Sequence, residues 1–174
     1  MIVSPLPRLV AAGRSLYIRR VAALTDPANW GVVLATAVVI SAVIGLHYEV
    51  LRASIRFLPA LHHRRRRRVV ILIFVILLTH AVEIWMFALG YAALLLPTER
   101  FGSIVGDTSI VAILDFAYFS GTVYTTVGFG DLIPYGAIRF MVGMEALTGL
   151  VMITWSASFT FLEMQRDWPE ERGR

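Results

Sequence analysis

The sequence predicts an all-α membrane protein with three spanning helices and a shorter fourth helix that enters the bilayer and turns back. Two observations carry this. The 174-residue chain is 57% hydrophobic and its mean hydropathy is +0.71, well above the apolar share of an ordinary soluble domain. Its apolar residues also gather into long uncharged runs bounded by prolines and arginines. Cysteine is absent, which excludes a disulfide framework and any thiol-based metal or redox site. All sixteen basic residues are arginines, and the net charge is +4. They flank apolar runs rather than interleaving with aromatics, so a membrane surface is the expected partner and nucleic acid is not. No internal repeat is present.

Residues 1–26 mix Arg8, Arg14, Arg19 and Arg20 with apolar residues in no helical register, which reads as a flexible or interfacial segment. The basic lead-in is too long for a signal peptide and no small-x-small cleavage pattern follows it. Asp26 before Pro27 is a helix start, because the Asp side chain caps and proline's missing N–H costs nothing at the first position. The first span therefore covers 27–58. It is uncharged from Trp30 to Leu46 and continues through a polar extension of His47, Tyr48, Glu49, Arg52 and Arg56 to the stop at Pro59. His47 and Glu49 read as a local cap or an intersubunit contact. Residues 59–68 form a basic connector holding His62, His63, Arg64, Arg65, Arg66, Arg67 and Arg68.

The second span runs from Val69 to about Leu96 and stops at Pro97, with His80 and Glu83 near its middle on one helix face. A loop over 98–107 leads to a helix predicted over about 110–124, capped by Asp107 or Ser109. That helix holds Asp115, Ser120 and Thr122 and is too short and polar to cross, hence a re-entrant helix. Pro134 and Gly136 break the chain again. A third span follows over about 137–162, carrying Glu145 mid-run, and then a polar tail, 163–174. Seven arginines, Arg52 and Arg56 in the polar end of the first span and Arg64 to Arg68 in the connector, stand against one in the loop after the second span. The positive-inside rule makes that connector cytoplasmic and the loop after the re-entrant helix extracytoplasmic. Three spans then put the N-terminus outside despite its four arginines.

The re-entrant helix feeds directly into Thr125-Thr126-Val127-Gly128-Phe129-Gly130-Asp131. Glycines alternating with Val127 and Phe129 allow a short run of carbonyls to face one side. A line of carbonyl oxygens suits a hard cation, and dehydrating that cation takes several such runs around one axis. In this setting the string resembles the filter of the potassium-channel pore family, and a match with either aromatic would arise by chance in about one chain in 10⁵ of this length. The resemblance covers roughly residues 69–162, the family's outer helix, pore helix, filter and inner helix. It implies a homotetramer, since each chain carries one string, with K+ as permeant ion and no other cofactor. It also implies that carbonyls of Thr126, Val127, Gly128 and Phe129, with the Thr126 hydroxyl, coordinate K+. Gly130 would then permit the outer turn and Asp131 would ring the outer mouth.

Val127 and Phe129 are expected to point away from the axis against the helix that carries the loop. Phe116, Tyr118, Phe119 and Tyr124 would surround them, with Thr122 and Thr125 in support. Phe129 stands where tyrosine is commoner and loses a hydroxyl that could tie the filter to its surround. Thr122 stands where some family members carry an acid, which leaves Asp131 without that partner. On the third span, the expected inner helix, Gly149 reads as a hinge or, equally, Gly143 and Gly149 both read as sites of close packing. Thr154, Ser158 and Leu162 form a plausible wet stripe, whereas the opposite rotation would turn Trp155 and Phe159 inward.

His80, Glu83 and Glu145 are costly at membrane depth and are expected to find partners. They read as a proton-sensitive or ion-binding cluster, or as a structural clamp with a Glu145 to His80 bond. The arginine run reads as a topology signal that also meets anionic lipid, at about 1 kcal/mol per residue. Consecutive arginines point all round a helix, so they are no voltage sensor. No phosphate loop, metal-ligand spacing or activated nucleophile points to an enzyme. The expectation is a multi-pass protein of the plasma (cytoplasmic) membrane conducting K+ passively. A non-selective monovalent cation channel, a non-conducting membrane interaction protein and a proton-coupled carrier are the alternatives.

Overall fold

A computed structural model describes residues 26–57, 65–106 and 112–167. Three long helices dominate it: α1 (Pro27–Phe57), α2 (Arg65–Leu95) and α4 (Arg139–Asp167). Each contains a stretch long and apolar enough to cross a bilayer. The 12-residue α3 (Ile113–Tyr124) lies between α2 and α4 in sequence and packs against both. At 1.5 Å per residue it extends only about 18 Å, little more than half a hydrocarbon core. The chain is thus an integral membrane protein of three spans and one short inserted helix.

The starts of these helices follow from local chemistry. Asp26 Oδ1 accepts the Ala28 N–H at 2.9 Å, and Pro27 fills the next position. The second helix starts at Arg65, within the predicted connector, because arginine is a good helix former and four of the run extend the apolar span without a break. For α3, the caps expected at Asp107 or Ser109 lie outside the described residues. The helix instead starts at Ile113, where Asp115 reaches back to the Ala112 N–H at 3.0 Å. Glu145 does not interrupt α4, and that helix continues into the segment expected as a tail, to Asp167.

Two short strands, which the sequence did not signal, flank α3. They are β1 (Ser103–Gly106) and β2 (Leu132–Tyr135), paired antiparallel with Ile104 opposite Pro134. A single turn of 3-10 helix, Glu99–Phe101, precedes β1, with the Thr98 hydroxyl accepting from the Arg100 N–H. The Ile138 N–H bonds the Phe101 carbonyl at 2.9 Å, and the Phe101 ring lies over Gly31 of α1. The ribbon therefore ties both ends of the α3 region to the start of α1.

The apolar core joins all four helices, with Val32 and Val43 from α1, Phe87 and Tyr91 from α2, Phe116, Phe119 and Tyr124 from α3, and Met141 and Met152 from α4. In lipid such packing gains little from the hydrophobic effect, so helix association rests on van der Waals fit and interhelical hydrogen bonds. Among the glycines within the described helices, Gly149 is the tightest fit. A Cβ placed there would meet the Tyr124 carbonyl oxygen at 2.1 Å, and backbone cannot yield as a side chain would. Between hinge and close packing, the geometry favours packing.

Gly149→Ala should therefore lower stability by about 1–3 kcal/mol. Gly143, where a Cβ meets nothing within 4 Å, should tolerate alanine or gain from it. Thermal midpoints in detergent check this, and equal midpoints for wild type and Gly149→Ala would exclude the tight contact.

Candidate functional site

The loop that follows α3 is held from below by the end of that helix. Gly121 accepts from both the Thr125 N–H at 3.2 Å and the Thr125 hydroxyl at 2.7 Å. Val123 accepts the Thr126 N–H at 2.9 Å, and the Thr122 carbonyl accepts the Gly128 N–H at 3.1 Å. Thr122 thus supports the loop through its backbone, while its hydroxyl turns back to Phe119 at 2.8 Å.

Backbone handedness alternates along this loop. φ is +59° at Thr126, +50° at Gly128 and +82° at Gly130, with Val127 and Phe129 between them on the ordinary side. In a regular strand successive carbonyls point to opposite sides. Alternating the sign of φ instead turns successive peptide groups the same way, which gathers their dipoles. Glycine takes these angles without strain, whereas Thr126 does so at a cost of about 1 kcal/mol or more. Among the described non-glycine residues, Thr126 alone has positive φ.

The side chains divide differently from expectation. Phe116, Phe119 and Tyr124 turn into the helical core instead of surrounding the loop. Tyr118 alone of the four aromatics faces it, stacking on Phe129 at 6.5 Å with ring planes within 5°. Its hydroxyl donates to Asp131 Oδ2 at 2.8 Å, so Asp131 finds on Tyr118 the partner that Thr122 does not supply. That bond holds the Tyr118 phenol above its ordinary pKa range. Val127 and Phe129 are 55% and 70% exposed on the single chain.

Along α4, Thr154 and Ser158 are exposed, their hydroxyls bonded back to Leu150 and Thr154. Ser156, on the other side of the helix, is buried against α1, and Trp155 also turns that way, 5.3 Å from the His47 ring. Thr154 and Ser158 therefore share a face that avoids the helix core.

The intramembrane polar residues form two networks rather than one. In the first, Glu83 sits at the centre. His47 Nδ1 contacts its Oε1 at 2.8 Å and His80 Nδ1 its Oε2 at 2.9 Å, while the Tyr124 hydroxyl donates to the same Oε2. The Ser156 Oγ closes the set at His47 Nε2, 3.2 Å away. His47 is fully buried, so neither the local cap nor the intersubunit contact expected for it is found. Its sequence position at the polar end of the first apolar run hid this. The spacing of His80 and Glu83 exposed a pair but not a partner from another helix.

Glu145 belongs to the second network, bonded to the hydroxyls of Tyr91 and Ser120, and forms no bond with His80. Ser120 Oγ also lies 2.8 Å from the Ile84 carbonyl. A hydroxyl has one proton to give. With Ser120 donating to Ile84 and Tyr91 donating to Glu145, the count closes when the Glu145 carboxyl carries its own proton and gives it to Ser120. Arg67 is exposed and Arg68 half-buried, the start of α2 thus bringing charge to the end of the span.

A sequence model of the ion channel family matches residues 69–166, more than half of the chain. No curated protein and no solved structure matches it. The match takes in α2 from Val69, α3, the TVGFGD loop and nearly all of α4, and leaves out α1 with His47 and the arginines that open α2.

The two networks predict opposite tolerance to amides. Glu145→Gln keeps a neutral donor and acceptor and should stay within about 1 kcal/mol of wild type, whereas Glu145→Ala leaves the Tyr91 hydroxyl without its acceptor, at about 1–3 kcal/mol, while Ser120 keeps its bond to Ile84. Glu83→Gln, which removes half of an acceptor set serving three donors, should cost more than Glu145→Gln. Unfolding midpoints in detergent report the order, and a Glu145→Gln as damaging as Glu145→Ala would refute the proton count.

Proposed function

The chain belongs to the ion channel family, and we propose that it is a potassium-selective channel conducting K+ passively as a homotetramer. The observation that carries the reading is the alternating handedness at Thr126, Gly128 and Gly130 in a TVGFGD loop rooted on the carbonyl end of α3. Four such loops around an axis would present rings of carbonyl oxygens from Thr126 to Phe129, with the Thr126 hydroxyl beneath, replacing the hydration shell of K+. The exposed Val127 and Phe129 are the surfaces by which neighbouring loops would pack. The negative end of the α3 dipole lies at the inner end of the loop and favours a cation there. Thr154 and Ser158 line the approach from the other side, where their exposed hydroxyls suit a wet cavity.

In this reading the arginine-rich start of α2 is cytoplasmic and meets anionic lipid, and Asp131 is at the outer mouth. The membrane is the cytoplasmic one. Binding and release of K+ need no chemistry beyond exchange of oxygen ligands, so no catalytic residue and no resident cofactor are assigned.

Purified protein in liposomes under opposed K+ and Na+ gradients should reverse near the potassium equilibrium potential. Reversal near zero would replace this reading with a non-selective cation pore, and absence of current with a membrane interaction protein. Asp131→Asn should lower inward K+ current at low ionic strength, with the deficit fading in high salt as the ring's field is screened. A deficit independent of salt would place the role of Asp131 in the loop's shape.

A further inference from the structure

The Glu83 network holds more donor atoms than a clamp between helices requires. His47 from α1, His80 and Glu83 from α2, and Tyr124 from the end of α3 converge on one point. The ligating atoms of the two histidines and Glu83 all lie within 4.8 Å of one another. The Tyr124 oxygen is 3.0 Å from His80 Nδ1. We infer that His47, His80 and Glu83, with the Tyr124 hydroxyl as a fourth donor, form a tetrahedral binding site for a divalent transition ion of the zinc class.

Two imidazole nitrogens and a carboxylate oxygen are the donor set that zinc takes in preference to magnesium or calcium, which need six or more oxygens. In a tetrahedral site with bonds of about 2.0–2.1 Å, ligand atoms stand roughly 3.3 Å apart. To admit the ion, the contacts of 2.8 and 2.9 Å about Glu83 open by about half an ångström, and any wider separation within the 4.8 Å set closes toward the same roughly 3.3 Å. The second-nitrogen partner is in place as well. A ligating histidine holds its other ring nitrogen protonated and bonded, which fixes the ring and frees the first nitrogen's lone pair. Ser156 Oγ, buried on α4 and 3.2 Å from His47 Nε2, is placed to accept that N–H. Binding therefore takes a shift of each imidazole proton from Nδ1 to Nε2, while the Tyr124 hydroxyl keeps its proton toward Glu83 Oε2 and turns a lone pair to the ion.

An approach is also present. A cavity of about 420 Å³ between α2 and α4 is lined by His80 and Ser156 together with Ile76, Ile153, Ala157 and Thr160. It reaches the network from the side of His80, whose side chain keeps 15% of its surface exposed. An ion at this point would brace α1, α2 and the last residue of α3, one position before Thr125. The inference does not depend on which ion the channel conducts.

Full-length protein in detergent, stripped with chelator and equilibrated with Zn2+ or Co2+, tests it. One ion per chain is expected by elemental analysis, and Co2+ should show the intense visible bands of a tetrahedral site. His47→Gln and His80→Gln should each weaken binding more than about 100-fold, and Ser156→Ala, which keeps all four donors, by about 10–100-fold. The double variant His62→Gln/His63→Gln should bind as wild type. No ion in the wild type, a six-coordinate Co2+ spectrum, or binding that survives His47→Gln and His80→Gln would each overturn the site. Wild-type affinity in Ser156→Ala would do the same without relying on a variant that loses a ligand and its fold together.

Discussion

A carboxylate in the middle of a membrane protein must have its hydrogen bonds made by the protein itself, and the way Glu83 meets that requirement organises the chain. Water is absent, and each unsatisfied polar atom at that depth costs several kcal/mol. Glu83 answers with partners from three helices, His47 of α1, His80 of α2 and Tyr124 of α3, and His47 passes the chain of contacts to Ser156 of α4. Each of the four α-helices thus has at least one side chain in a single connected network. Interhelical bonds of this kind contribute about 0.6–2 kcal/mol each in a bilayer. Since apolar packing between helices competes with equally apolar lipid, such bonds decide which faces meet. They also explain how α1, outside the residues matched to the ion channel family, is fixed to the rest by a residue that is polar at membrane depth.

The spans were legible in the sequence because their signal is additive: an apolar excess summed over about twenty residues outweighs single polar residues such as His80, Glu83 or Glu145. The short α3 was legible for the converse reason, a run too short and too polar to cross. Pairings between helices were not. His47 lies where the first apolar run gives way to Glu49 and Arg52, so it looked like the edge of the membrane, whereas 31 continuous helical residues carry it into the core. His80, Glu83 and Glu145 were recognised as costly, but a helical repeat says which residues share a face and not what stands opposite. Glu145 consequently went to Tyr91 and Ser120, two hydroxyls with nothing in their spacing to mark them. The strands β1 and β2 are four residues each, shorter than any periodicity can register, and Pro134 within β2 argues against a strand unless its N–H side is the ribbon's open edge.

The TVGFGD loop shows how a local departure is met by a contact from elsewhere. Phe129 has no hydroxyl with which to tie itself to the helix, and Thr122 offers Asp131 no acid, which taken alone would leave both the ring and Asp131 loosely held. Tyr118 answers both at once: its ring stacks on Phe129 and its hydroxyl donates to Asp131. The tie between loop and helix has its hydroxyl on the helix and its acceptor at the loop's outer end. Below it the Gly128 N–H is held by the Thr122 carbonyl, a bond that no substitution at 122 other than proline's backbone effect would remove. The loop is therefore pinned at its middle by backbone and at its outer end by Tyr118. Between those pins lies Gly130, and below the lower one lies the strained Thr126. Rotation of a peptide group is cheapest near Gly130, which has no Cβ and no neighbour within 4 Å of where one would stand. It is dearest near Thr126, held at the carbonyl end of α3 beside Tyr124 and Gly149. Any conformational change that closes the loop should therefore begin at its outer half, with the network around Glu83 keeping the inner half in register.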